Sequence, residues 1–112
     1  MMDIIIRSPG VRLNDRTHIA IQRQIEKLEH LLPGLIICEV LAFKEKSGEA
    51  MPCVVQARVV LPGKDLFAKE HGKSFIHAAR LLAEDLENQI RKIKEQRIAH
   101  GKAPAPLLAE EE

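Results

Sequence analysis

Arg91, Lys92, Lys94 and Arg97 crowd the segment Ile90-Arg91-Lys92-Ile93-Lys94-Glu95-Gln96-Arg97, and guanidinium and ammonium groups gathered this closely are suited to binding phosphate. A second set, Arg16, Arg23 and Lys27 with His30, recurs at spacings of seven, four and three, which stacks it along one side of a helix. The competing reading is a solvated surface. Cations suit the negative end of a helix dipole, and Glu26 and Glu29 flank the second set closely enough to pair with Arg23 and Lys27.

Other chemistries find little support. His18, His30, His71, His77 and His100 show no i, i+4 pairing and no Cys pair at metal spacing, so they read as surface or loop histidines and no metal or other cofactor is expected. There is no phosphate-cradling glycine motif, no nucleophile elbow and no evident pair of carboxylates in a cleft, which argues against an enzyme. With three Phe, no Tyr and no Trp, the chain offers little for stacking single-stranded bases.

The 112 residues suffice for one domain with one core, and 46% apolar with 29% charged residues is an ordinary globular composition. No run approaches the ~20 apolar residues that span a bilayer. The opening Met-Met-Asp-Ile-Ile-Ile is too short and wrongly flanked for a secretory signal, so cytoplasmic residence is expected. The net charge of +1 conceals an asymmetry: Ala103 to Glu112 hold three acids and no base, and without them 17 bases face 13 acids, a balance of +4. That excess permits a polyanionic partner without requiring one.

The elements that must position these cations follow from periodicity. Asp3 to Arg7 reads as a strand broken by Ser8-Pro9-Gly10. Asn14 or Asp15 caps a helix expected to run to about Leu32, with Ile21, Ile25, Leu28 and Leu32 as its buried stripe and Pro33-Gly34 as its stop. Leu35 to Lys46 and Pro52 to Leu61 are strand-like, and Pro62-Gly63 has the chemistry of a type II turn that places Lys64 to His71 as a further strand. Ser74 to Ile98 forms a long helix, in which Phe75, Ala79, Leu82, Leu86, Ile90 and Ile93 make one apolar stripe. The order is β-α-β-β-β-α, an α+β fold with a four-stranded mixed sheet and two helices on one face. Residues 1–100 make the domain and residues 101–112 a disordered acidic tail.

Alternation fixes the hairpin register. Ile36, Cys38, Val40 and Ala42 share one parity and Cys53, Val55, Ala57, Val59 and Leu61 another, so pairing 42 with 55 and 38 with 59 puts both sets under the helices. Glu39 then faces Arg58 on the outer side, a favourable cross-strand pair. Cys38 and Cys53 fall several rungs apart, well beyond the ~7 Å limit for bridging, and read as inert core thiols. The outer face receives Ile37, Leu41, Phe43, Val54, Val60 and Phe67, unusually apolar for a monomer and therefore a candidate protein interface, including for a homodimer.

Leu86-Glu87-Asn88-Gln89-Ile90-Arg91-Lys92-Ile93-Lys94 resembles the terminal-helix pattern of the ribosome hibernation-promoting factors and ribosome-associated inhibitors: Leu, two residues, Gln-Leu, then Lys at alternate places. Phe43-Lys44-Glu45-Lys46 is similar to that family's strand ending in alternating lysines, and its short members share the β-α-β-β-β-α order. The resemblance covers about residues 2 to 98. Where the family opens the last helix with Asp, an aromatic two residues on and a second Asp, this chain has Ser74, Ile76 and Arg80; Ser74 still caps a helix. The resemblance implies a stress factor that docks on the small ribosomal subunit, contacts rRNA through Arg16, Arg23, Lys27, Lys44, Lys46, Arg91, Lys92, Lys94 and Arg97, and silences translation without catalysing a reaction. It implies a ribosomal partner, with neither DNA nor membrane.

Overall fold

The computed structural model describes residues 2–32, 34, 36–45 and 51–99, with side chains as far as residue 95. Strand β1 (Met2–Arg7) leads into helix α1 (Asp15–Glu26), followed by a short 3-10 turn (Glu29–Leu31), strands β2 (Ile36–Lys44), β3 (Cys53–Leu61) and β4 (Lys64–Gly72), and helix α2 (Phe75–Ala99). The sheet order is β1-β2-β3-β4. β1 is parallel to β2, and the remaining neighbours are antiparallel. The expected α+β architecture and element order are therefore those observed, whereas the expected acidic tail lies outside the described residues.

The hairpin register is the one that alternation requires. Ala42 faces Val55, Cys38 faces Val59, and Glu39 faces Arg58, whose guanidinium reaches Glu39 at 3.3 Å and Asp65 of β4 at 2.9 Å. Gly63 closes the β3–β4 turn at φ 81°, the left-handed conformation that a type II turn demands at that position. Cys53 lies opposite Lys44, so the two cysteines occupy opposite ends of the ladder; both are free and buried. Desolvation, with a smaller contribution from the neighbouring Glu39 charge, raises the Cys38 thiol to about 12, which keeps it protonated and unreactive.

Two helices cover the face that carries these apolar rows. Ile21, Ile25 and Leu28 from the α1 side and Leu82, Leu86 and Ile90 from α2 are buried in one cluster with Cys38, Val40, Val55 and Val59. Asn14 caps α1, its side-chain oxygen accepting from the Thr17 N–H at 2.8 Å. Ser74 caps α2, its hydroxyl accepting from the His77 N–H at 3.1 Å. β1 and β2 are parallel, so α1 must run back against them, and α2 returns along β4 after a two-residue connection. The helices consequently run in the same direction, and their C-terminal ends share the end of the sheet where β2 begins.

The first helix stops short of Leu32. After Glu26 the chain tightens, with Leu28 N–H donating to Ile25 O, Leu31 N–H to Leu28 O and Leu32 N–H to Glu29 O, the shorter-period bonding of a 3-10 turn. A regular α-helix would carry Leu31 to the flank of the stripe; the tighter path buries Leu28, Leu31 and Leu32 alike. Leu32 is extended (φ −126°, ψ 109°), the conformation favoured before a proline, here Pro33. The Glu29 carboxylate accepts the Met2 N–H at 2.6 Å and ties this turn to the start of β1.

Gly72 fixes how closely α2 approaches the sheet. A Cβ there would lie 2.6 Å from Ala78 N and 3.0 Å from Ser74 O, all backbone, so the first turn of α2 packs directly on the end of β4. Gly72→Ala should lower unfolding stability by about 1–3 kcal/mol through overpacking, measured by urea denaturation. Gly63→Ala meets no atom within 4 Å and should cost about 1–2 kcal/mol through its positive φ alone.

Candidate nucleic-acid interface

The outward sides of the two helices hold most of the cations that sequence spacing singles out. Arg16, Arg23 and Lys27 are exposed, opposite the buried Ile21–Ile25 side of α1. Glu26 and Glu29 do not pair with them: Gln22 donates to Glu26 at 3.2 Å, Glu29 binds Met2, and Lys27 donates to Gln24 at 3.2 Å. Among the described residues Arg16 and Arg23 have no ion-pair partner, so both guanidinium groups face water with their donors available.

On α2, Arg91 and Lys92 are exposed and Lys94 is half-buried. Arg91 donates through two nitrogens to one Glu87 oxygen, at 2.8 and 3.0 Å, an i, i+4 pair of the kind worth about 0.3–0.5 kcal/mol. A phosphate can displace so weak a partner. Gln89 orients the helix: its amide donates to the Phe67 carbonyl of β4 at 2.8 Å and to Asp85 at 3.1 Å. Residues three and four apart share a helix side, so Lys92 stands with the Gln89 side that faces β4, whereas Arg91 and Lys94 stand with Glu87 on the other.

Strand register separates Lys44 from this group. Lys44 faces Cys53, which faces Gly72, from which α2 departs; it is therefore at the N-terminal end of α2, far along the sheet from Lys27 and Lys92. Lys73, exposed and next to Gly72, joins Lys44 there. Sequence spacing misses Lys73, which extending the β2–β3–β4 register by one strand would have found. Lys46 and the Arg97 side chain lie outside the described residues.

The outer sheet face is apolar but not uniformly open. Phe67 is 63% exposed, Ile5 41% and Ile37 39%, while Leu41, Phe43 and Val60 are half-buried. Val54 is fully buried and lies beneath this surface, because its strand neighbours Phe43 and His71 flank it. Glu45 joins them by accepting from His71 Nε2 at 3.1 Å and pairing with Lys69 at 3.7 Å. Lys69 in turn stands 5.9 Å from the Phe43 ring centroid. Ile5, Leu41, Gln56 and Phe67 line a shallow concavity of about 540 Å³ bordered by Arg7 and Arg58. Among the described residues no group of His, Cys, Asp and Glu has the geometry to hold a metal ion.

Such an arrangement defines a two-layer α+β protein with exposed cations on its helix layer and an apolar outer sheet. The family described as Sigma 54 modulation protein / S30EA ribosomal protein matches residues 4–98, and the chain belongs to it. No curated protein matches the chain significantly. Among solved structures, a ribosomal subunit interface protein from Coxiella burnetii is similar, with a TM-score of 0.70 and 19% identity over 85% of this chain and 99% of that one. The N-terminal domain of Thermus thermophilus Protein Y is also similar, with a TM-score of 0.67 and 16% identity over 82% of this chain and 98% of that one. At these identities the likeness is one of fold.

The seam that orients α2 contains an acidic pair. Burial raises the Glu70 carboxyl above its ordinary range, helped by a hydrogen bond to Asp85 and by the Asp85 and Glu84 charges, against an opposing effect of His71. A raised folded-state value means that the folded protein binds the proton more tightly than the unfolded chain. Stability from this group is thus fully present below the unfolded value of about 4.3 and is lost as pH rises through the folded one. Glu70→Gln should flatten that decline and raise stability at neutral pH by up to about 0.5 kcal/mol, the scale of a surface substitution, as read from denaturation curves across weakly acidic pH.

Proposed function

We propose that this protein binds the ribosome, laying its helix layer on rRNA of the small subunit and silencing translation under stress. Family membership supports a ribosomal partner, as does the similarity to a ribosomal subunit interface protein from Coxiella burnetii. The observation that carries the phosphate chemistry is the set of exposed cations on both helices, of which Arg16, Arg23 and Lys92 have no ion-pair partner among the described residues. Contacts of this kind read charge and duplex shape rather than base identity. In this reading Arg16, Arg23, Lys27, Arg91, Lys92, Lys94 and Arg97 form the main contact, Lys44 with Lys73 reaches phosphates at the other end of the sheet, and Lys46 is assigned as a contact from its sequence alone. The protein acts by occupancy, catalyses no reaction, and works in the cytoplasm. No helix among the described residues is long and apolar enough to cross a membrane.

Cosedimentation with ribosomes at two salt concentrations tests this reading. Neutralising about six phosphates should weaken binding by about a thousandfold between 50 and 200 mM salt. Replacing Arg91, Lys92, Lys94 and Arg97 by Ala should both weaken binding and reduce its salt dependence. Absence of binding at low salt, or binding that this variant leaves unchanged, would rule the reading out.

The exposure of Phe67 and Ile37 favours a second reading, in which the outer sheet face takes a protein partner or a second copy through Ile37, Leu41, Phe43, Val60 and Phe67, over the buried Val54. Leu41→Asp or Phe43→Asp should then convert a dimer seen by light scattering to monomer, and a wild-type monomer at micromolar concentration would count against face-to-face pairing.

A further inference from the structure

The two edges of the sheet are finished differently. On β4, Gln89 of α2 covers the Phe67 carbonyl, and Lys64 and Lys69 punctuate the strand, both devices that discourage further pairing. β1 has neither lysine nor proline in Met-Asp-Ile-Ile-Ile-Arg. Its partner is β2 alone. Apart from the Met2 N–H bound to Glu29, nothing among the described residues hydrogen-bonds its free edge, and neither Asp3 nor Arg7 has an ion-pair partner. Both charges are exposed, on the same outer face as Ile5.

We propose that β1 pairs with β1 of a second copy, antiparallel about a two-fold axis through Ile5, joining two four-stranded sheets into one. The strand is self-complementary in this register. Asp3 of one copy stands opposite Arg7 of the other at both ends, Ile5 meets Ile5 on the axis, and Ile4 meets Ile6 on the helix-covered face. Opposite charges and β-branched pairs directly across a ladder are the favourable cross-strand combinations, and a two-fold contact requires that each pairing occur twice. Backbone groups match as well. With the axis through a residue, the outward N–H and C=O groups of the two edges meet in phase, whether residues 3, 5 and 7 or residues 4 and 6 point outward. A slip by one residue would set Asp3 against Ile6 and exchange the faces, and a slip by two would leave both charges without a partner.

This pairing rests on the β1 edge and not on the helix cations, so its test does not depend on ribosome binding. It also differs from association through the outer face. Sedimentation equilibrium of the purified chain up to submillimolar concentration should show a reversible monomer–dimer equilibrium. Asp3→Arg alone and Arg7→Asp alone each place like charges across both ends of the ladder and should weaken dimerisation at least about tenfold. An equimolar mixture of the two variants restores opposite charges and should recover association as a heterodimer, which a merely misfolded variant cannot do. Phe67→Asp, on the outer face but three strands from the β1 edge, should dimerise like the wild type. The proposal is overturned by a wild-type chain that stays monomeric, by single variants that dimerise as the wild type does, by a mixture that fails to recover, or by loss of the dimer in Phe67→Asp.

Discussion

A slip of one residue between β2 and β3 would leave Cys38, Val40 and Ala42 under the helices but turn Val55, Ala57 and Val59 out to water and bring Arg58 in. Side chains alternate strictly across a sheet, so the register admits no intermediate compromise. With Ala42 on Val55 and Glu39 on Arg58, the buried rows form a continuous floor for α1 and α2, and the outer face keeps its ion pairs at 2.9 and 3.3 Å. Every functional position inherits this choice, because the helices can cover only the face that the register makes apolar.

The helices then convert a buried stripe into an exposed one. Burying Leu82, Leu86 and Ile90 fixes the rotation of α2, and the Gln89 bond to the Phe67 carbonyl locks the same rotation from the side. That lock gives a structural reason for a glutamine within Leu86-Glu87-Asn88-Gln89-Ile90: an amide can donate to a strand carbonyl where an apolar side chain would leave that carbonyl to water. Gly72 acts at the opposite end, admitting the first turn of α2 into backbone contact. Cations beyond the lock are held on a rigid rod rather than a loop, as binding to a large, rigid polyanion favours.

Much of this was legible in the residues. Element order, hairpin register, both helix caps and the buried stripes follow from period, parity and capping chemistry, all of them local rules. Legibility failed where two local rules competed. The Ile21–Leu32 spacing suits a continuous helix, yet three leucines followed by Pro33 bury better in a tightened turn, and helix propensity yields to packing. It failed again at Val54, whose parity places it outward but which Phe43, His71 and Glu45 leave no water to meet.

By itself the sequence determined the architecture and which residues carry charge, because hydrophobic period and turn chemistry are written in neighbouring residues. Only the tertiary structure decided how those charges are grouped: Lys27 shares an end of the sheet with Arg91 and Lys92, Lys44 is sent to the other end beside Lys73, and the Lys92 side of α2 is the one turned toward β4. Grouping depends on chain direction and on strand register between segments distant in sequence. Those are set by the burial of one common core, which no single segment encodes.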